Sequence, residues 1–263
     1  MHFDATGKVS LDHIYTQPDP RAYFSTLRRL EYGIPELAKP HFTALLEEYR
    51  SVTGTARPQV LDIGSSYGIN GALLRCGLSM ADLYERYGTE SVQFDARDDL
   101  IARDRSLPRS DSLRLVGLDV SEPALDYARE SGFLDDAVCA DLERGDPTEA
   151  QAALLEPTDV VISTGCLGYV GAPTIERVVT ACDRPPWMAH FVLRMFPFEP
   201  IAEVLAKLGY ETEQKEGVFR QRRFASADEQ SQVLDTLASA GVDPSEHETD
   251  GWFYAQLFIS KPR

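Results

Sequence analysis

The chain has 263 residues, with 42 Asp and Glu against 26 Lys and Arg, a net charge of −16 at pH 7. Apolar residues make up 43% and charged residues 26%, ordinary for a folded protein and unlike a disordered one. So acidic a chain is a poor partner for nucleic-acid phosphates or an anionic membrane surface, which both favour Lys and Arg.

No apolar run approaches the ~20 residues of a membrane-spanning helix. The opening MHFDATGKVSLDHIY has no basic segment leading into an apolar core, so no secretory signal is expected. Cys76, Cys139, Cys166 and Cys182 form no CxxC pair. Reduced thiols in a cytoplasmic protein are the expectation, with no disulfide framework and no metal.

The first fifty-odd residues read as helical. Asp19-Pro20 is an N-cap followed by a proline at the first helical position. Phe42, Leu45, Leu46 and Tyr49 fall at i, i+3, i+4, i+7 on one helix face. TGTARP (53–58) breaks that helix, and QVLDIG (59–64) is a short buried strand running into a glycine turn.

A helix from Ala72 follows, and LRLVGLD (113–119) is the second strand. Ser121 is placed to cap a helix that stops at Gly132. Strands are then expected at 137–140, 159–163 and 187–194, with a helix near 176–182. In the tail, a helix (201–208) precedes Gly209, and 218–224 reads as a strand. Ser226 and Glu229 read as a capping box for a helix through Leu237, and WFYAQLFIS (252–260) closes the chain as a strand. Short apolar strands alternating with helices predict a mostly parallel sheet covered on both faces.

The turn after the first strand, VLDIGSSYGING (60–71), carries the strongest signal. An acidic residue closes the strand, and small residues at Gly64, Ser66 and Gly68 let the backbone approach a ligand beyond the strand ends. It is neither a phosphate-binding GxxxxGK[ST] loop nor the dinucleotide GxGxxG.

This segment resembles the first motif of class I S-adenosylmethionine (SAM)-dependent methyltransferases, D/E-x-G-x-G-x-G. Asp62, Gly64 and Gly68 match, and Ser66 replaces the middle glycine. Three further features follow in the family's order. Asp119 in LVGLDVS ends the second strand, Asp141 in CADLE follows the third, and TDVVISTGCLG (158–168) matches the fourth strand and its turn.

The resemblance covers about residues 57–263. It implies a Rossmann-like, doubly wound, mostly parallel seven-stranded α/β sheet with an antiparallel last strand. A helical N-terminal extension (1–56) would cap it. Asp62 and Asp119 lie 57 positions apart, more than usual in the family, so about 79–111 reads as an insertion. Ser79 with Asp82 would cap one helix there, Asp95–Arg103 would form another, and the insertion would pack beside the SAM site as a wall or lid.

The resemblance also implies the site. Asp119 would hold the ribose hydroxyls, with Val120 beside it. Asp141 and Leu142 would meet the adenine. Asp62, Gly64, Ser65, Ser66, Tyr67, Gly68 and Asn70 would form the turn around the methionine part. Thr164 and Gly165 would lie where the transferred methyl points. Tyr169, Arg194, Tyr15 and Tyr23 are the residues expected against the acceptor or closing over SAM. Cys166 reads as a small buried apolar residue and His190 as a core histidine.

Methyl transfer needs an in-line nucleophile and a dry site rather than a catalytic triad, and no general base stands out. The expected function is therefore a SAM-dependent methyltransferase acting on a small-molecule acceptor, as in secondary metabolism. The amino-group signature NPPY is absent after the fourth strand, where STGCLGY stands. Two other readings remain. The chain could consume SAM itself, cyclising its aminobutyrate arm and releasing methylthioadenosine, or bind SAM without turnover. The oligomeric state is open, a homodimer included.

Overall fold

A computed structural model of the chain describes residues 3–4 and 6–263. Its strands are β1 (Gln59–Ile63), β2 (Arg114–Asp119), β3 (Asp136–Cys139), β4 (Val160–Thr164), β5 (Trp187–Leu193), β6 (Tyr210–Gln214), β7 (Phe219–Arg223) and β8 (Trp252–Pro262). Before β1 come α1 (Asp12–Tyr15), α2 (Arg21–Arg29) and α3 (Ile34–Thr53). Between β1 and β2 lie α4 (Ile69–Arg75), α5 (Met80–Gly88) and α6 (Arg97–Arg105). The later helices are α7 (Glu122–Ser131), α8 (Glu149–Leu155), α9 (Ala172–Ala181), α10 (Glu199–Lys207) and α11 (Ala227–Ser239).

The strands form one sheet in the order β3-β2-β1-β4-β5-β8-β6, with β7 also paired to β8. β1 to β5 are parallel, whereas β8 runs antiparallel to β5, β6 and β7. The sheet therefore has eight strands where the sequence predicts seven. The additional one is β6, whose YETEQ carries a single buried side chain, Tyr210. Its strand state comes from pairing with β8 and not from any apolar pattern.

Alternation along the inner strands explains the two covered faces. Val60, Leu115, Val160, Ile162, Ala189 and Phe191 point to one side, where α3, α7 and α11 pack. Leu61, Ile63, Val116, Val161, Met188 and Val192 point to the other, under α8, α9 and α10. The helix α3 lies in the first of these layers, through Phe42, Leu45, Leu46 and Tyr49. The expected boundary at 56/57 thus separates sequence segments that share one core.

The segment 79–111 joins a third apolar cluster with α1, α2 and α4. Its first helix has the expected capping box, with Asp82 N–H donating to Ser79 Oγ and Ser79 N–H to Asp82 Oδ2 (3.1 and 2.8 Å). Its second helix starts at Arg97 rather than Asp95. At the centre of the attachment is Asp104, fully buried. Tyr87 and Tyr127 hydroxyls donate to its Oδ2 (2.5 and 2.7 Å), and Arg86 Nη2 donates to Oδ1 (2.9 Å).

Two expected caps differ. Ser121 precedes α7, but its hydroxyl donates to the Tyr15 carbonyl (2.5 Å) and makes no cap bond. The Ser226 hydroxyl does accept from Glu229 N–H (3.1 Å), but the Glu229 carboxylate does not return to Ser226. It is engaged by Arg222 instead, at 2.8 and 3.0 Å.

Asp104→Ala should strand two tyrosine hydroxyls and a guanidinium in the interior. We expect a loss of about 3–5 kcal/mol, read by urea unfolding. A loss below about 1 kcal/mol would show that the segment 79–111 does not depend on this carboxylate.

Candidate ligand site at the switch point of the sheet

The strand order reverses direction between β1 and β4, the place where open α/β sheets bind ligands beyond their carboxyl ends. A cavity of about 440 Å3 lies there. Such a volume is within the range of small-molecule pockets, roughly 300–1,000 Å3.

The floor of the cavity comes from three strand ends. After β1, Gly64, Ser65 and Ser66 line it, with Asn70 from α4. Asp119 ends β2, and Thr164 ends β4 with Gly165 and Cys166 just beyond it. Gly64 sits at φ +69, and a Cβ there would meet Cys166 Cβ at 2.6 Å. The motif glycine is therefore required by both backbone conformation and space.

Ser66, which stands where the family has glycine, also adopts a left-handed conformation, φ 48. Glu31 is the only other non-glycine with positive φ among the described residues. Such a backbone costs roughly 1–2 kcal/mol. It is held by Asp119, whose Oδ2 accepts from Ser66 N–H (2.9 Å) and whose Oδ1 accepts from Ser121 N–H (3.0 Å). Burial raises the Asp119 carboxyl, and those N–H donors oppose the rise.

Asp62 lies beneath the turn, 1% exposed. Its Oδ1 accepts from Asn70 Nδ2 (3.0 Å), which also reaches Thr164 Oγ1 (3.3 Å). Burial pushes the Asp62 carboxyl up to about 7, with Asn70 opposing and the Asp119 charge adding. Asp62 thus orients Asn70 and does not line the cavity.

The N-terminal segment forms the opposite wall, with Tyr15, Tyr23 and Tyr32. Loop donors hold it in place. The Tyr67 hydroxyl lies 3.0 and 2.9 Å from the Ile14 and Gln17 carbonyls, and Ser121 Oγ bonds the Tyr15 carbonyl. Tyr84 donates to the Tyr32 carbonyl (2.6 Å). Among the described residues, none of 79–111 lines the cavity. The segment buttresses the helical wall from behind.

Other expected residues are placed as follows. Tyr169 lines the cavity. Tyr67 and Gly68 do not, the first packing under the N-terminal segment and the second opening α4. Val120 and Asp141 lie outside the lining and are exposed, whereas Leu142 is buried in the core. Arg194 turns away from the cavity, pairing with Glu248 (2.6 Å) and donating to the Asp243 carbonyl (2.9 Å). A strand end fixes where a side chain starts but not the partner it finds.

The sequence reading missed Lys8, Gln221 and Arg222, all in the cavity wall. Period-2 alternation in FRQRR could have flagged Gln221. Arg222 is 5% exposed and paired with the fully buried Glu229, itself expected only as a cap partner. Cys166 lines the floor, and burial pushes its thiol up to about 12, the Asp62 charge adding to the effect. It is a poor nucleophile near neutral pH.

No protein-family model matches the chain, and no curated protein matches it. Among solved structures it is similar to a TehB-like SAM-dependent methyltransferase from Corynebacterium glutamicum (16% identity, 81% of this chain and 87% of that one, TM-score 0.40). It is also similar to the plantazolicin methyltransferase BpumL in complex with SAH (14% identity, 98% and 95% covered, TM-score 0.44). A third is magnesium protoporphyrin IX methyltransferase from Synechocystis with bound SAM (11% identity, 85% and 79% covered, TM-score 0.42). The fold assignment rests on the strand order, five parallel strands in the order 3-2-1-4-5 continued by an antiparallel one. The chain has a Rossmann-like, doubly wound α/β fold. Within that fold the cavity lies at the carboxyl end of the parallel strands.

Two outcomes test this geometry. Ser66→Gly should remove left-handed strain and a buried hydroxyl without a partner among the described residues, raising stability by about 1 kcal/mol in thermal unfolding. A destabilised variant would mean that Ser66 Oγ makes a needed contact. Asp62 has a raised folded pKa, so the folded state holds the extra proton between about pH 4 and 7 and stability falls as pH rises through that window. Asp62→Asn should therefore be more stable than the parent at pH 8, with the advantage shrinking towards pH 4. An advantage independent of pH would mean that the Asp62 charge does not set it.

Proposed function

We propose that this chain is a SAM-dependent methyltransferase acting on a small-molecule acceptor. The observation that carries the reading is the cavity at the β1/β4 switch point, floored by the Gly64 turn, the Asp119 carboxylate and the Thr164–Cys166 turn.

The residues fit the cofactor. Asp119 is only partly exposed, and each of its oxygens accepts one backbone N–H, so lone pairs remain for a pair of hydroxyls. Gly64 keeps the floor free of a side chain. Val120 and Asp141 are exposed just after β2 and β3 and are the residues proposed to meet the adenine.

Bound SAM supplies an electrophilic methyl on a sulfonium. The chain's own residues do the rest. Asp119 holds the ribose. Asn70, oriented by Asp62, and Thr164 line the methionine end. Tyr15, Tyr23 and Tyr32 close the cavity against water, and burial pushes the Tyr23 and Tyr32 hydroxyls up, so they act as neutral hydrogen-bonding groups. Placement and water exclusion supply most of the rate enhancement that such a transfer needs.

The acceptor remains to be found by incubating the pure protein with SAM and a panel of small nucleophiles, followed by mass spectrometry. We expect S-adenosylhomocysteine to form only when an acceptor is present. Methylthioadenosine formed from SAM alone would overturn the methyl-transfer reading in favour of SAM consumption. Asp119→Ala should weaken SAH binding about 10–100-fold by calorimetry, since it removes a buried acceptor of two hydroxyls. Unchanged affinity in the folded variant would reject the ribose assignment.

A further inference from the structure

The N-terminal residues bring a lysine into the cavity. Phe3 and Val9 form an antiparallel bridge, and the chain reverses between them with Asp4 N–H donating to the Lys8 carbonyl (2.8 Å). This hairpin is fastened at three points. The Tyr169 hydroxyl donates to Asp4 Oδ2 (2.5 Å), Val9 N–H donates to Glu229 Oε1 (2.7 Å), and Gly7 packs against Gln232. The Lys8 side chain is thereby directed inward and is 8% exposed.

Its Nζ lies in an aromatic box, 4.8 Å from the ring centre of Tyr169, 5.6 Å from Phe253 and 6.0 Å from Phe196. Ring faces attract a cation but accept no strong hydrogen bond. Among the described residues, no carboxylate is in ion-pair contact with Nζ. The two acids nearby are engaged elsewhere. Asp4 accepts from Thr6, from Lys8 N–H and from Tyr169. Glu229 accepts from Arg222, Ala225 N–H and Val9 N–H. Lys8 thus presents a buried ammonium whose three donors have no partner among the described residues, in the cavity wall and near Cys166.

The geometry points to Lys8 as the residue that selects the acceptor: it binds an anionic group, a carboxylate or an ionised hydroxyl, of a small molecule seated between the aromatic box and the Thr164–Cys166 turn. This deepens the methyl-transfer reading and rests on it. A buried cation without a counter-ion is costly, and an anionic ligand supplies one. A cationic ligand would meet the Lys8 charge and find no free carboxylate beside it among the described residues, since Glu229 is taken by Arg222. Burial, with the Arg222 charge adding and Asp4 and Glu229 opposing, holds the Lys8 amine down at about 7. The remaining ionisable groups facing it are Cys166 and Tyr169, both neutral near pH 7 because burial raises them. Pairing with an anion raises the amine again, so binding above pH 7 takes up a proton.

Three probes with one ring and different heads test this by calorimetry: benzoate, benzyl alcohol and benzylamine, each with and without SAH, on the full chain and on Lys8→Met. Benzoate should bind most tightly, take up about one proton at pH 8 as read from buffers of different ionisation heat, and lose about tenfold or more in Lys8→Met. Benzyl alcohol should change less than about threefold. Tighter binding of benzylamine, a benzoate affinity that survives Lys8→Met, or no benzoate binding would each overturn the proposal. Should Lys8→Met fail to fold, proton uptake by the parent chain decides alone. SAH binding without the benzoate response sinks only this proposal. The benzoate response without SAH binding sinks the methyl-transfer reading instead.

Discussion

One carboxylate holds the functional end of the sheet together. Asp119 ends β2 and accepts a backbone N–H from each neighbouring loop, Ser66 after β1 and Ser121 before α7. Through the first bond it keeps a serine in a conformation that glycine would take more easily. The second fixes Ser121, whose hydroxyl holds the Tyr15 carbonyl and so the cavity's far wall. Floor and wall therefore share one anchor. The carboxylate that would bind a ligand also shapes the space the ligand enters, so its two roles are energetically coupled.

The rest of the wall is assembled from chain segments that meet only in the fold. Val9 and Glu229 are 220 positions apart, and Glu229 is fully buried against Arg222. All four hydrogen bonds to that carboxylate come from the pair and from two backbone N–H groups. A buried ion pair so satisfied adds little net stability over an apolar pair, but it tolerates few alternative arrangements. It fixes where the N-terminal hairpin docks and hence where Lys8 points.

The central strands were legible because they are buried on both faces, so VLDI, LVGL and VVI read as short, mostly apolar runs without polar alternation. The glycine turn and Asp119 were legible because their chemistry is local in sequence. β6 was not, since an edge strand made of YETEQ owes its state to the partner it pairs with. Lys8, Gln221 and Arg222 were not either, because nothing near them in sequence says which cavity they will share. Arg194 shows the converse. Its place at the end of β5 suggested the pocket rim, but the acid Glu248 is nearer and claims it. Ser121 likewise sits at a cap position while a carbonyl of the N-terminal segment takes its hydroxyl.

The long last strand also decides how the sheet ends. One side of β8 pairs with β5, and the other is divided between β7 at its start and β6 at its finish. The middle of that apolar strand, residues 255–260, is paired to β5, and its two ends are paired on the other side to β7 and β6. The margins of the sheet fall instead to β6, with Glu211 and Glu213, and to β7, with three arginines. At the opposite end the four-residue β3 is too short to recruit a neighbour, and Gln151 already donates to its Cys139 carbonyl (2.9 Å). Charge and brevity at the margins disfavour the growth of one sheet onto another, the protection that natural sheets give their edges.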